Sequence, residues 1–145
     1  PEIACEIIAD GVHVHPDLFK LLRRNKPADK IVLVTDALRP TEQTEGILLA
    51  NKEEVVFEGG CFHRKEDGVI AGSSLTMIRG VKNLVDYGLS LEDAVRYAST
   101  NPAQIMHYNK KGQIIPGYDA DLVVFDKHLN VLMTLIGGAI KKNII

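Results

Sequence analysis

The order of the apolar runs predicts an α/β chain followed by a small all-β tail. The run Ile31-Val32-Leu33-Val34 is rich in β-branched residues and stops at Thr35-Asp36-Ala37. Upstream, Ile7-Ile8-Ala9 runs into Asp10-Gly11-Val12-His13-Val14-His15. Between them, Asp17 to Asn25 carries Leu18, Leu21 and Leu22 at helical spacing. Strand, polar tip, helix, strand, polar tip is the unit that builds parallel sheets covered by helices. In such folds the chemistry sits at the carboxyl ends of the strands. Here one carboxyl end offers a histidine and the next an aspartate.

Taken in order, Ile3 to Ala9 reads as a buried strand. Pro16 suits the first turn of a helix, where its missing N–H is not needed. That helix ends near Asn25-Lys26-Pro27. The stretch Arg39 to Gly46, with Pro40, Thr41, Glu42, Gln43 and Thr44, is polar and reads as a loop over a site. Ile47–Ala50, Glu54–Glu58 and Cys61–Arg64 read as short strands joined by turns at Asn51-Lys52 and Gly59-Gly60. Ser74 is placed to cap a helix with an apolar face of Leu75, Ile78, Val81 and Val85, ending at Gly88. Ser90, with Asp93 three residues on, marks the start of a second helix by an Asp form of the capping box. Asn101-Pro102 reads as the cap of a third. Beyond Gly112, Ile114-Ile115, Leu122–Phe125 and Val131–Ile136 read as strands, and Gly137-Gly138 as a two-residue hairpin turn. The division is an α/β part over 1–112 and β strands over 113–145.

At 145 residues the chain can bury a core of one domain. A net charge of −2 with no basic stripe argues against nucleic acid as a partner. No apolar run reaches the length of about 18 that a membrane span needs, and no signal-peptide pattern is present, so the expected location is the cytoplasm with no membrane partner. Cys5 and Cys61 are too few for a disulfide framework and read as reduced thiols in packing positions. Starting at Pro1 rather than Met, the chain is expected to be truncated or processed.

Three groups of residues could carry chemistry. Asp36, at the end of a buried strand, is either a structural cap or a general acid/base able to pass a proton from water to a leaving amine. His13 and His15 would share a strand face and could share a metal, although Pro16 gives His15 a plain capping role. His13 is therefore read as a hydrogen-bonding site residue and His15 as structural. Gly72-Ser73-Ser74, before a helix, could present backbone N–H groups to an anion or carbonyl, or be a plain cap. His63, His107 and His128 read as surface residues with no partner nearby.

The segments Ala9-Asp10-Gly11-Val12-His13-Val14-His15-Pro16, Leu33-Val34-Thr35-Asp36-Ala37, Ala71-Gly72-Ser73-Ser74-Leu75-Thr76-Met77 and Gly117-Tyr118-Asp119-Ala120-Asp121-Leu122-Val123 occur in one order. Together they resemble the N-acetylglucosamine-6-phosphate deacetylases of the amidohydrolase superfamily, over almost the whole chain. The resemblance implies the C-terminal part of a (β/α)8 TIM barrel plus strands of a small β-sandwich. It implies that Asp36 is the catalytic acid/base and that His13 binds substrate, with Asp10, Gly11 and Val12 lining the same loop. Ile70, Ala71 and Gly72 would contact the sugar. It also implies a divalent metal of zinc or iron type, whose ligands lie upstream, so that no metal ligand is assigned in this chain. The arginine that binds the sugar phosphate of a neighbouring subunit would lie upstream too, and the full-length enzyme would be a homodimer. The implied reaction is hydrolysis of the acetamide of N-acetylglucosamine 6-phosphate, in amino-sugar catabolism. Another amidohydrolase of dihydroorotase type would share Asp36 and the tail, but the Gly-Ser-Ser-Leu-Thr-Met piece argues against it. A catalytically silent fragment that binds sugar or assembles with a partner is the alternative of a different class. The isolated chain is expected to be inactive.

Overall fold

The structure is a computed structural model describing residues 3–43 and 45–144, so Pro1 and Thr44 lie outside the described residues. Strands β1 (Cys5–Ile8) and β2 (Ile31–Val34) pair in parallel, with Cys5 opposite Ile31 and Ile8 opposite Val34. Helix α1 (Asp17–Asn25) makes the crossover between them. All of Ile31, Val32 and Leu33 are buried, as a parallel strand covered on both faces requires. The α1 face differs from the expected one. Phe19 is buried with Leu22 packed partly against it, while Leu18 and Leu21 face outward, half exposed.

After β2 the chain makes a four-stranded antiparallel sheet in the order β3 (Leu48–Ala50), β4 (Glu53–Glu58), β5 (Cys61–Arg64), β6 (Ile70–Ser73). The first three match the predicted short strands. β6 was not anticipated as a strand, because Ala71-Gly72-Ser73 carries no apolar alternation. This sheet has its own small core of Ala50, Val55 and Phe62, with Phe57 edge-on to Phe62 at 5.5 Å between ring centroids.

Helix α2 (Met77–Asp86) then packs Val81 and Leu84 onto Ile7, Ile31 and Leu33. It starts after Thr76, not at Ser74, whose hydroxyl instead donates to the Gly60 carbonyl at 3.0 Å. Ser90 caps α3 (Leu91–Val95) as predicted, accepting from the Asp93 N–H at 3.1 Å. The reciprocal half of the box is absent, because the Asp93 carboxylate takes Arg23 Nε at 2.8 Å. The expected third helix, α4 (Asn101–Ile105), is not a separate element. A π-helical stretch, Arg96–Thr100, joins α3 to it without a break, and Asn101 has helical backbone angles. Asn101 is no cap. Its buried amide donates to the carbonyls of Ala28 at 2.6 Å and Ile31 at 2.7 Å, tying the helix to the start of β2.

Strands β7 (Leu122–Phe125), β8 (Val131–Ile136) and β9 (Ala139–Asn143) form a third, antiparallel sheet, and Gly137-Gly138 makes the predicted turn. Ile114-Ile115 is not a strand. It lies in an irregular segment, with Ile114 85% exposed. Among the described residues no helix is long and apolar enough to cross a membrane.

Candidate active site

Because Ile8 lies opposite Val34 in a parallel pair, Asp10 and Asp36 each stand two residues beyond the same edge of the sheet. Adjacent strands are about 4.8 Å apart, so the two polar tips are neighbours.

The first tip is an ordered loop rather than strand. Asp10 Oδ1 accepts the N–H groups of Val12 and His13, each at 2.9 Å. Asp10 Oδ2 lies 2.6 Å from His13 Nδ1. A carboxylate accepts, so Nδ1 carries a ring proton, which in the neutral imidazole leaves Nε2 as an acceptor. The Asp10 side chain is only 4% exposed and its oxygens are occupied within the loop. His15 is exposed beside Asp17. His13 thus sits in a bend and His15 in irregular chain, not on one strand face, which removes the geometry that the shared-metal reading required.

Helix α2 backs this loop. Asn83 Nδ2 donates to the Ala9 carbonyl at 2.8 Å. A Cβ on Gly11 would lie 2.7 Å from the Tyr87 hydroxyl, so the loop passes where a side chain cannot. Tyr87 stacks on Phe19, and burial, then the charges of Asp10 and Asp86, push its hydroxyl pKa up.

The second tip carries Asp36 with φ of 49°, the left-handed region that Asp tolerates better than most residues. Its side chain is exposed and makes no hydrogen bond or ion pair among the described residues. What holds Asp36 is its backbone. The Ser73 N–H donates to the Asp36 carbonyl at 2.9 Å, and the Leu38 N–H donates to the Ser73 carbonyl at 3.1 Å. A Cβ on Gly72 would sit 3.0 Å from the Asp36 carbonyl and 2.8 Å from Leu38, so β6 approaches this closely because residue 72 has no side chain.

Gly72-Ser73-Ser74 therefore does not open a helix toward an anion. Its Ser73 N–H is already given to Asp36, and Gly72 is in β6. Gly72 lies against Asp36 and Leu38, while Ile70 is 40% exposed at the far end of the strand. Ile70 and Ala71 line an open groove of about 250 Å³ with Leu38, Val55 and Arg64. The Gly59-Gly60 turn reaches the first tip, since a Cβ on Gly60 would lie 3.7 Å from Val12.

His63 has partners, contrary to expectation. Its Nδ1 lies 2.9 Å from the Gly68 carbonyl, which can only accept, so Nε2 accepts from the Cys61 thiol at 3.2 Å. Burial, then the Asp10 charge, raises the pKa of Cys61, keeping it a thiol. His107 and His128 are exposed, as predicted. Asn83 and Tyr87, and the partners of Ser73, were invisible in the sequence, because no short motif marks contacts between residues far apart along the chain.

Among the described residues no three His, Cys, Asp or Glu side chains converge as a metal cluster. With His13 Nδ1 taken by Asp10, these residues do not by themselves fit a resident metal.

The family model for the amidohydrolases matches residues 1–141. N-acetylglucosamine-6-phosphate deacetylase of Lysinibacillus sphaericus is 37% identical over 141 residues, covering 96% of this chain and 36% of its own. N-acetylgalactosamine-6-phosphate deacetylase of Escherichia coli O157:H7 is 35% identical over 135 residues, covering 92% of this chain and 35% of its own. The solved N-acetylglucosamine-6-phosphate deacetylase of Pasteurella multocida superposes with a TM-score of 0.90 at 31% identity, covering 99% of this chain and 38% of its own. That of Thermotoga maritima superposes with 0.87 at 33% identity, covering 94% and 38%. The chain thus spans little more than a third of the length of these relatives. With the match running from the first polar tip through the Asp36 turn to the last sheet, the chain belongs to the amidohydrolase family.

Proposed function

We propose that the enzyme carrying these residues hydrolyses the acetamide of N-acetylglucosamine 6-phosphate, giving glucosamine 6-phosphate and acetate. The observation that carries the proposal is Asp36, an unpaired carboxylate at the carboxyl end of a buried strand, beside the tip where Asp10 orients His13. In the reaction a water oxygen bonds to the acetyl carbon. Asp36 takes the proton that water gives up and returns it to the amide nitrogen, so that the C–N bond breaks and a neutral amine leaves. His13 Nε2 accepts a hydrogen bond from a hydroxyl of the sugar, and Asp10 fixes the tautomer that makes this possible. Gly11, Val12 and the β6 residues Ile70, Ala71 and Gly72 line the sugar.

Amidohydrolases generally depend on a divalent metal, which would activate the water. We place its ligands, for an ion of zinc or iron type, outside the described residues, and no step above is routed through it. The chain is the C-terminal part of the barrel over 1–112 and strands of a sandwich over 113–145, and the whole enzyme is a homodimer. A second reading rests on the relatives named for N-acetylgalactosamine 6-phosphate at similar identity. The two sugars differ in one hydroxyl's configuration, so acetate release from each, by the enzyme at full length, tests the proposal. Release from the glucosamine substrate with the higher kcat/KM is expected. Preference for the galacto sugar would move the assignment to the second reading, and turnover of neither would overturn both.

A further inference from the structure

We propose that Ser73 is a positioning residue for Asp36, an inference that rests on the proton-shuttle reading of Asp36. The Asp36 carboxylate has no partner among the described residues, so its direction is inherited from its backbone. That backbone is left-handed, with φ of 49°, and lies beyond the end of β2, outside the β1–β2 ladder. Ser73 supplies what the ladder does not. It is fully buried and uses every polar group it has on this turn. Its N–H donates to the Asp36 carbonyl at 2.9 Å, and its carbonyl accepts from Leu38 at 3.1 Å, so Ala37 and Ser73 form an isolated parallel bridge. Its hydroxyl donates to the Thr35 carbonyl and accepts from the Leu75 N–H at 2.9 Å. Thr35, Asp36 and Leu38 are thus bonded to the hydroxyl, N–H and carbonyl of one residue of β6. Alternative routes to this hold are weak. Within the turn, the Ala37 N–H reaches Thr35 Oγ1 only at 3.3 Å.

A proton shuttle works over hydrogen-bond distances, and displacement of a reacting group by about 1 Å can cost about 100-fold in rate. Ser73→Ala keeps the two backbone bonds and deletes the hydroxyl, leaving the Thr35 carbonyl and the Leu75 N–H without it. In the full-length enzyme, kcat for deacetylation is expected to fall about 10- to 100-fold with KM changed less than about 2-fold. A purely structural defect would instead act whatever residue 36 is. The decisive measurement is therefore a double-mutant cycle. In an Asp36→Asn background, adding Ser73→Ala is expected to lower kcat less than about 2-fold further. Equal fractional losses in both backgrounds, an unchanged kcat, or a rise confined to KM would overturn the inference. Should Ser73→Ala not fold, Ser73→Cys keeps the volume with a weaker donor and acceptor. It is run through the same cycle, where an Asp36-dependent loss supports the inference and an independent or absent loss overturns it. Failure of the shuttle reading itself is separately visible, as near-normal turnover of Asp36→Asn alone.

Discussion

Asp36 sits in a backbone conformation that Asp and Asn tolerate and most other residues do not. Asp36→Asn therefore isolates the chemistry. Turnover is expected to fall by about 10²–10⁴, the usual contribution of a general acid/base, with the melting temperature held. Near-normal turnover would remove Asp36 from the mechanism. Asp10 makes a second, independent point. Asp10→Asn would turn an amide N–H toward His13 Nδ1 and drive the ring proton to Nε2, converting the proposed substrate acceptor into a donor. A loss of about 10- to 100-fold in kcat/KM is expected, the size seen when an orienting partner is removed. His13→Gln should weaken catalysis with bound metal unchanged by elemental analysis. Metal loss in step with activity would return His13 to the metal's coordination shell. Both tips were legible in the sequence because an acid or a histidine directly after a β-branched run has a position as well as a chemistry. The holds that Ser73 and Asn83 exert were not, since their partners Thr35 and Ala9 lie far away in sequence. Asn101 misled for a related reason. Asn-Pro is a local signal for a helix start, and here two carbonyls across the fold claimed the amide instead.

At the scale of elements, that buried amide joins the α3–α4 helix to the entry of β2. Asn101→Ala orphans two carbonyls, and a loss of about 1–3 kcal/mol is expected in urea melts of the enzyme. A change under about 0.5 kcal/mol would mean that water replaces the amide at no cost. The last sheet carries a pH dependence of its own. Lys111 bonds the Asp121 carboxylate, which also accepts the Gly137 N–H, and these hold its pKa below the usual carboxylate range. Asp126 is held low by the Asn130 side chain first, then by the Asn130 and His128 backbone. A carboxyl whose folded pKa is depressed contributes stability above its unfolded value. The contribution is lost as pH falls through the folded value. The β7–β9 unit should therefore show a flat urea midpoint above about pH 5 and a decline below about pH 4, which Asp121→Asn should partly flatten. An equal acid decline in Asp121→Asn would assign the effect to other groups. Patterning revealed β7 and β8 with the turn after them. It failed at Ile114-Ile115, because two adjacent isoleucines with no alternation around them do not define a sheet face.

For the molecule as a whole, the β1–β2 sheet has two strands among the described residues, and Val123, Ile136 and Ile140 of the last sheet are exposed. Unpaired apolar edges associate. Made alone, the 145-residue chain is expected to elute as associated material in size-exclusion chromatography and to release no acetate with divalent metal added. A compact, active monomer would show that the metal is bound by residues assigned no such role above. The expectation of a barrel and a sandwich came from motif resemblance rather than from periodicity, which sees a strand but not its partners.

The four-stranded sheet departs from the main chain just after Asp36 and returns to it at Ser73, which bonds the Asp36 carbonyl and the Leu38 N–H on either side of Ala37. An excursion closed at its base places little geometric demand on what it encloses, apart from the Gly59-Gly60 turn, which meets Val12 and Ser74. Residues 38 to 72 can lengthen, shorten or be exchanged for another family member's version, and the join at 37 and 73 still meets. Substrate preference could therefore be transplanted as a cassette, Asp36 and the β1–β2 strands inherited unchanged, and a protease cut at exposed Gly46 should leave both halves of the join clasped.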